Sequence, residues 1–243
     1  MRGGLPTGSA TGFFYSTQSD KHFLVTNRHV VRGKTGESPP DALVAEMHAD
    51  SRNTSRSEEI AISLYDGERR PRWVEHPSLG GTADIAAVEI SELLKPTHFF
   101  QSVTKQNFLP LNMTRLRIGE DAMILGFPNG FYDDIHKLPI LKSGTIATSF
   151  PIQFRRQPYF LIDSRMDEGS SGSPVFTKPK DTFQMNDGLL VHLNTELFYF
   201  IGVVAANIPE SILPQRGEPG MNLAQVYYWW LLADLVGEPI GSN

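Results

Sequence analysis

The chain has 243 residues, of which 40% are hydrophobic, with 21 glycines and 17 prolines; that suffices for one large domain or two small ones with a core that needs no staples. Its 22 basic and 27 acidic residues leave a net charge of −5, which argues against a broad nucleic-acid footprint. The absence of cysteine excludes disulfides, thiolate metal sites and cysteine nucleophiles together.

Short apolar and β-branched runs recur between turn residues. In chain order they are 12–16, 22–26, 41–47, 60–65, 85–90, 122–125, 144–148, 158–162, 174–177, 189–192 and 198–205. Many short strands punctuated by glycine and proline predict an all-β fold, a sandwich or a barrel. The segments 51–59 and 178–187 are polar and read as surface loops, and 99–117 reads as a crossing between two halves. Helical spacing is found at 223–236, where Val226, Trp229, Trp230, Ala233 and Val236 recur every three or four residues before Gly237 and Pro239. Tyr227, Tyr228, Trp229 and Trp230 are then expected to pack that helix onto a barrel. No run of about 18 apolar residues predicts a membrane span, and no positively charged, then apolar leader is visible in the first 30 residues, so the expected location is cytoplasmic.

Three segments can carry chemistry. Gly169-Ser170-Ser171-Gly172-Ser173-Pro174 places a serine between glycines, just before a strand. A nucleophilic hydroxyl needs such a tight turn, which also lets backbone N–H groups converge on an oxyanion. Thr26-Asn27-Arg28-His29 puts a histidine at the end of an apolar strand, and Ala83-Asp84-Ile85 puts an aspartate at the start of another. Taken singly, these read as a surface turn, a structural histidine and a turn aspartate. Their order, His29, Asp84, Ser171, is the chain order of chymotrypsin-like proteases and differs from that of subtilisins and α/β-hydrolases.

On these residues the sequence resembles chymotrypsin-fold (trypsin-like) serine proteases of the bacterial kind. Asp163–Ser171 resembles the HtrA proteases. Thr26–Val31 and Gly172–Phe176 resemble the glutamyl endopeptidases more closely. Gly8–Tyr15 is similar to that family's first strand, and Ile201–Val204 to the strand after the nucleophile. The resemblance implies two six-stranded antiparallel β-barrels with the site between them, followed by a C-terminal α-helix. The halves would be 1–110, bearing His29 and Asp84, and 111–225, bearing Ser171, with helix and tail at 226–243. It also implies a catalytic triad of His29, Asp84 and Ser171, and an oxyanion hole built from the Gly169 and Ser171 N–H groups. The primary pocket would be lined by Arg165, Met166, Val203, Val204, Ala205, Ala206, Asn207 and Gly220. No cofactor or metal is implied, and the expected partner is a peptide or protein substrate, with no nucleic acid and no membrane.

The departures from the family are informative. Ser170 stands where animal enzymes carry the aspartate that pairs with a freed N-terminus, so that activation device is not expected. Ala205 replaces the serine that supports the aspartate in trypsins, so Asp84 needs another partner. Met166 and Val204 replace the glutamate-reading pair of the glutamyl endopeptidases, and the residues after Val236 are too few for an HtrA-style PDZ module. An aliphatic side chain before the cut is therefore expected, unless the Arg165 guanidinium enters the pocket and selects an acidic one. Asp167 and Glu168 could instead hold that guanidinium outside. The sequence reading is a serine endopeptidase. Its rivals are a latent or non-catalytic peptide-binding protein on the same fold, and an esterase.

Overall fold

The computed structural model describes residues 1, 5–33, 38–113, 116–207 and 222–238. The first half contains β1 (Phe13–Ser16), β2 (His22–Thr26), α1 (Arg28–Arg32), β3 (Ala42–His48), β4 (Ser57–Ser63), β5 (Trp73–Glu75), β6 (Ala86–Glu89) and β7 (Ser102–Val103). The second contains β8 (Asp121–Gly126), β9 (Ile140–Ile146), β10 (Tyr159–Asp163), β11 (Pro174–Thr177), β12 (Lys180–Gln184), β13 (Leu190–Leu197), β14 (Phe200–Asn207), β15 (Leu223–Tyr228) and α2 (Trp229–Leu235).

The second half holds a closed six-stranded barrel in the order β10-β15-β14-β11-β8-β9, with every neighbour antiparallel. The first half does not close in the same way. Its strands divide between a five-stranded sheet, β5-β6-β2-β1-β7, and a separate β3–β4 hairpin. Period-two alternation explains how both faces of that sheet are covered. Leu24, Ala86 and Val88 point to a small core shared with Ile62 of the hairpin and with Leu64. Phe23, Val25 and Ala87 point the other way, into the large core that continues through the barrel to Phe200, Tyr228 and Trp229.

The C-terminal helix is shorter than the spacing suggests. It spans Trp229–Leu235, and the six residues before it form β15, which closes the barrel between β10 and β14. Ala224, Val226, Tyr227 and Tyr228 are all buried there, and β-branched and aromatic residues suit a strand buried on both faces. Two expected loops are also partly strand. β4 begins at Ser57, and β12 with β13 forms a mostly exposed hairpin.

α1 follows β2 immediately and has only five residues, too few to persist without tertiary support. Glu75, at the end of β5, supplies that support. Its carboxylate accepts from Arg28 Nε at 2.8 Å and Arg32 Nε at 2.6 Å, at the two ends of the helix, and from Trp73 Nε1 at 2.9 Å. Burial pushes the Glu75 carboxyl up, but these hydrogen bonds together outweigh it and hold the group at about 2. A carboxyl held below its usual value stabilises the fold fully above its unfolded value near 4.5, and that stabilisation is lost as pH falls towards 2. Glu75→Gln is therefore expected to lower Tm at pH 7 and to flatten the fall of Tm between about pH 4.5 and pH 2. Thermal melts of both proteins across that range check it, and identical slopes would refute the clamp.

Candidate active site

The three residues singled out from the sequence lie on elements that touch. His29 sits in the first turn of α1, not at the end of β2, and Asp84 lies in the short link before β6. The Asp84 carboxylate accepts the His29 backbone N–H on Oδ1 at 2.9 Å and faces His29 Nδ1 with Oδ2 at 2.7 Å. The first contact satisfies one of the N–H groups that a helix start leaves without an intrahelical acceptor. In the second, an ionised carboxylate only accepts, so Nδ1 carries the proton and Nε2 is left as the basic nitrogen. Among the described residues both oxygens of the Asp84 carboxylate are engaged by His29 alone, and no further side chain takes the place of the trypsin serine. The neighbouring backbone is also held. Asn27 Nδ2 donates to the Asp84 carbonyl at 2.6 Å, and the Tyr227 hydroxyl donates to the Thr82 carbonyl at 3.0 Å. Burial pushes the Tyr227 hydroxyl up to about 12, so it remains a donor.

Ser171 lies in the turn between β10 and β11. Gly172 N–H donates to the Val204 carbonyl and Val204 N–H to the Ser173 carbonyl, each at 2.9 Å, which fastens the turn to β14. The Ser171 hydroxyl donates to the Ala205 carbonyl at 2.8 Å. Its proton is therefore directed to β14 and not to His29. Gly169 has φ +86°, a left-handed conformation, and a Cβ there would lie 2.6 Å from the Phe127 carbonyl, so the position requires glycine. Among the described residues neither the Gly169 N–H nor the Ser171 N–H has an acceptor. Ser170, at the position of the animal aspartate, is buried, and its hydroxyl has no partner among the described residues.

The two sides meet through Thr11, just ahead of β1. Its N–H donates to the Ser171 carbonyl at 2.9 Å, and its carbonyl accepts the Thr26 hydroxyl at 2.8 Å, three residues before His29. Its own hydroxyl donates to the Gly169 carbonyl at 2.8 Å and accepts Phe127 N–H at 3.0 Å. A Cβ on Gly172 would sit 2.1 Å from the Thr11 carbonyl oxygen. Thr11, Thr26, Asn27 and Glu75 escaped the sequence reading in these roles. Only Thr26 and Asn27 carried a signal, as polar residues that interrupt an apolar run next to the histidine.

The residues expected to line the pocket separate into three groups. Met166, Val203, Val204 and Ala205 are buried, the last three on β14. Arg165 is exposed, its side chain 79% accessible, with its guanidinium turned towards Asp167 at 3.7 Å. Lys142 ties the same stretch by donating to the Arg165 carbonyl and to Asp167 Oδ2. Ala206 and Asn207 belong to β14, but their side chains, like Gly220 as a whole, lie outside the described residues. A cleft of about 300 Å³, lined by residues including His76, Leu79, Arg156, Trp230 and Asp234, contains none of the predicted site residues.

Residues 10–181, most of the chain, match the trypsin-like peptidase domain family. No curated protein matches significantly. Similar solved structures include an inactive form of a serine-to-alanine mutant of Rv3671c from M. tuberculosis H37Rv, at 15% identity and a TM-score of 0.45, covering 96% of this chain and 84% of that one. The protease Anisep from Arthrobacter nicotinovorans matches at 14% identity and a TM-score of 0.44, covering 92% of each chain. A thermostable serine protease, AL20, from an extremophilic microorganism matches at 13% identity and a TM-score of 0.45, covering 90% of each chain. Likenesses this distant carry no argument about chemistry, and the family assignment rests on the match over residues 10–181. The chain belongs to the trypsin-like peptidases and has their chymotrypsin fold.

Proposed function

We propose that the protein is a serine endopeptidase in which Ser171 is the nucleophile, His29 the general base and Asp84 the residue that orients it. The observation that carries this reading is the double engagement of Asp84 by His29, through the backbone N–H and Nδ1, which leaves Nε2 free to act as base. Thr11 and Thr26 hold the segment leading to that histidine against the nucleophile turn. In the reaction His29 Nε2 takes the Ser171 proton as Oγ attacks the substrate carbonyl. The Gly169 and Ser171 N–H groups then receive the oxyanion. Collapse of this intermediate expels the amine, which takes its proton from His29, and leaves an acyl-serine. Water, deprotonated by His29, attacks the ester and frees the acid.

The Ser171–Ala205 bond favours a second reading, in which the resting site is latent. Catalysis requires the hydroxyl proton to leave the Ala205 carbonyl for His29. An extended peptide that offers its own N–H to Ala205 would compete for that carbonyl and help the transfer. Binding without cleavage is the limit in which the hydroxyl is never released.

A fluorophosphonate probe separates these readings. Wild-type protein is expected to label on one residue per chain, and Ser171→Ala and His29→Ala to lose labelling and peptide turnover together, because the two act as a unit. Labelling that appears only with added peptide would identify the latent form, and labelling that survives in Ser171→Ala would sink the assignment.

Asp84→Asn is expected to lower kcat by about 10⁴, since an amide at that position can stabilise the wrong histidine tautomer. A loss of less than tenfold, measured on a peptide amide substrate, would show that another group orients His29.

For specificity, we propose an aliphatic residue before the cut. By the resemblance Met166 and Val204 would be the pocket's walls, and both are apolar, while the exposure of the Arg165 guanidinium beside Asp167 argues against its selecting an acidic side chain. A peptide library should show cleavage after small or medium aliphatic residues, unchanged in Arg165→Ala. Dominant cleavage after lysine or arginine would refute this. Cleavage after aspartate or glutamate that disappears in Arg165→Ala would make the arginine the determinant.

A further inference from the structure

We propose that the Thr11 side chain is a positioning residue for the oxyanion turn; the inference rests on the protease reading above. A trans peptide holds the C=O of one residue and the N–H of the next in opposite directions, so fixing the carbonyl aims the amide. The Glu168–Gly169 peptide, whose N–H is the proposed oxyanion donor, is fixed by the bond from Asn129 N–H to the Glu168 carbonyl at 2.5 Å. The next peptide, Gly169–Ser170, is fixed by the Thr11 hydroxyl on the Gly169 carbonyl at 2.8 Å. The loop that carries Asn129 is itself anchored to that hydroxyl, because Phe127 N–H donates to Thr11 Oγ1 at 3.0 Å. One buried oxygen, on a residue only 2% exposed, therefore bonds to both sides of the oxyanion turn.

The geometry leaves few substitutes for this group. Gly169 is in a left-handed conformation and Asn129 has φ +52°, a region that glycine and asparagine can enter and leave, so hydrogen bonds are what hold both backbones in place. A Cβ on Gly126 would come within 2.9 Å of Thr11 Oγ1, so the hydroxyl occupies space that the opposing strand leaves open. Valine at position 11 would fill the same volume but would leave the Gly169 carbonyl and the Phe127 N–H without a partner. The Glu168–Gly169 peptide would keep its bond from Asn129 N–H, and the Gly169–Ser170 peptide its bond from Ser170 N–H to the Asp167 carbonyl at 3.1 Å, but the hydroxyl's hold on the Gly169 carbonyl and on the Phe127 loop would be lost, which loosens the aim of the Gly169 N–H. The Thr11 N–H and carbonyl bonds to Ser171 and Thr26 do not involve the side chain, so the effect of the hydroxyl can be separated from the contact between the two halves.

The test compares Thr11→Val, Thr11→Ala and Thr11→Ser with wild type, with kcat expressed per titrated active site. A peptide amide substrate and the matching peptide aldehyde are used, because the aldehyde forms a tetrahedral adduct that occupies the oxyanion hole. The valine and alanine variants are expected to lose about 10–100-fold in kcat and the same factor in aldehyde affinity, with KM within about threefold. The serine variant is expected to recover both to within about threefold of wild type. A role in stability alone would lower Tm or the titrated fraction and leave kcat per site unchanged. If the valine variant does not fold, the alanine and serine pair decides. The inference is overturned if alanine keeps kcat per site within threefold of wild type, or if serine is as impaired as alanine. Wild-type protein that neither turns over nor titrates would instead sink the protease reading. Thr11 is then judged from the amide ¹⁵N shift of Gly169, which this inference expects to move in Thr11→Ala and return in Thr11→Ser; an unmoved shift overturns it.

Discussion

The site depends on a place where two backbones come almost into contact. At Gly172 a single added carbon would lie 2.1 Å from the Thr11 carbonyl oxygen and 2.7 Å from the Thr26 hydroxyl; at Gly126 it would lie 2.2 Å from the Ser173 hydroxyl. No rotamer change at position 172 relieves the first of these, because the obstructing atom belongs to the main chain. With no side chains at these two points, the start of β1 lies directly against the nucleophile turn. The Thr11–Ser171 and Thr26–Thr11 bonds then carry that contact to the end of β2, from which α1 and His29 follow. The placement of the His29 segment against the Ser171 turn is thus set largely by the absence of atoms. Any residue larger than glycine at 172 would drive the histidine-bearing segment away from the serine, and the base proposed for His29 could act only within hydrogen-bond reach.

Two carboxylates hold α1 from different sides. Asp84 engages the first turn and the imidazole, and Glu75 spans the helix from Arg28 to Arg32. A five-residue helix has little stability of its own, so the direction of the His29 ring is decided by these anchors and not by helix propensity. Each anchor is also fixed through its backbone. Glu75 ends β5, which pairs with β6, and Asp84 stands just before β6, with its carbonyl bonded to Asn27. The central sheet, covered on one side by the hairpin and on the other by the barrel, therefore defines where both carboxylates stand.

Much of this was legible in the sequence, and what was not has identifiable physical reasons. The serine between glycines and the chain order of His29, Asp84 and Ser171 are local patterns that survive without tertiary information. So is the alternation of strands such as β1 and β8, where every second residue is buried. The segment at β15 misleads because the helical spacing of Trp229, Trp230 and Ala233 in α2 extends back to Val226 in the strand, while consecutive burial of Val226, Tyr227 and Tyr228 ends the alternation that begins at 223–226. β12 is hidden for the opposite reason: it belongs to a mostly exposed hairpin and is largely polar. Whether the first half closes into a barrel depends on pairing between distant strands, which no local pattern encodes. Thr11 and Glu75 are ordinary residues in their own segments and acquire their roles only from what folding brings to them.

β14 links the elements that the rest of the fold positions. Its Val204 backbone clasps the Ser171 turn through Gly172 and Ser173, its Ala205 carbonyl receives the Ser171 hydroxyl, and its buried stretch 203–205 holds residues of the expected pocket. The strand is held between β11 and β15 in the closed barrel, and Gly202 admits the close approach of β15, since a Cβ there would lie 2.2 Å from the Tyr227 carbonyl. Tyr227 in turn donates to Thr82, two residues before Asp84. A displacement of β14 would therefore reach Ser171 directly and Asp84 through β15 and Tyr227. This coupling gives the barrel a role beyond burying apolar surface: it ties the position of β14 to the positions of Ser171 and of the turn that carries Asp84.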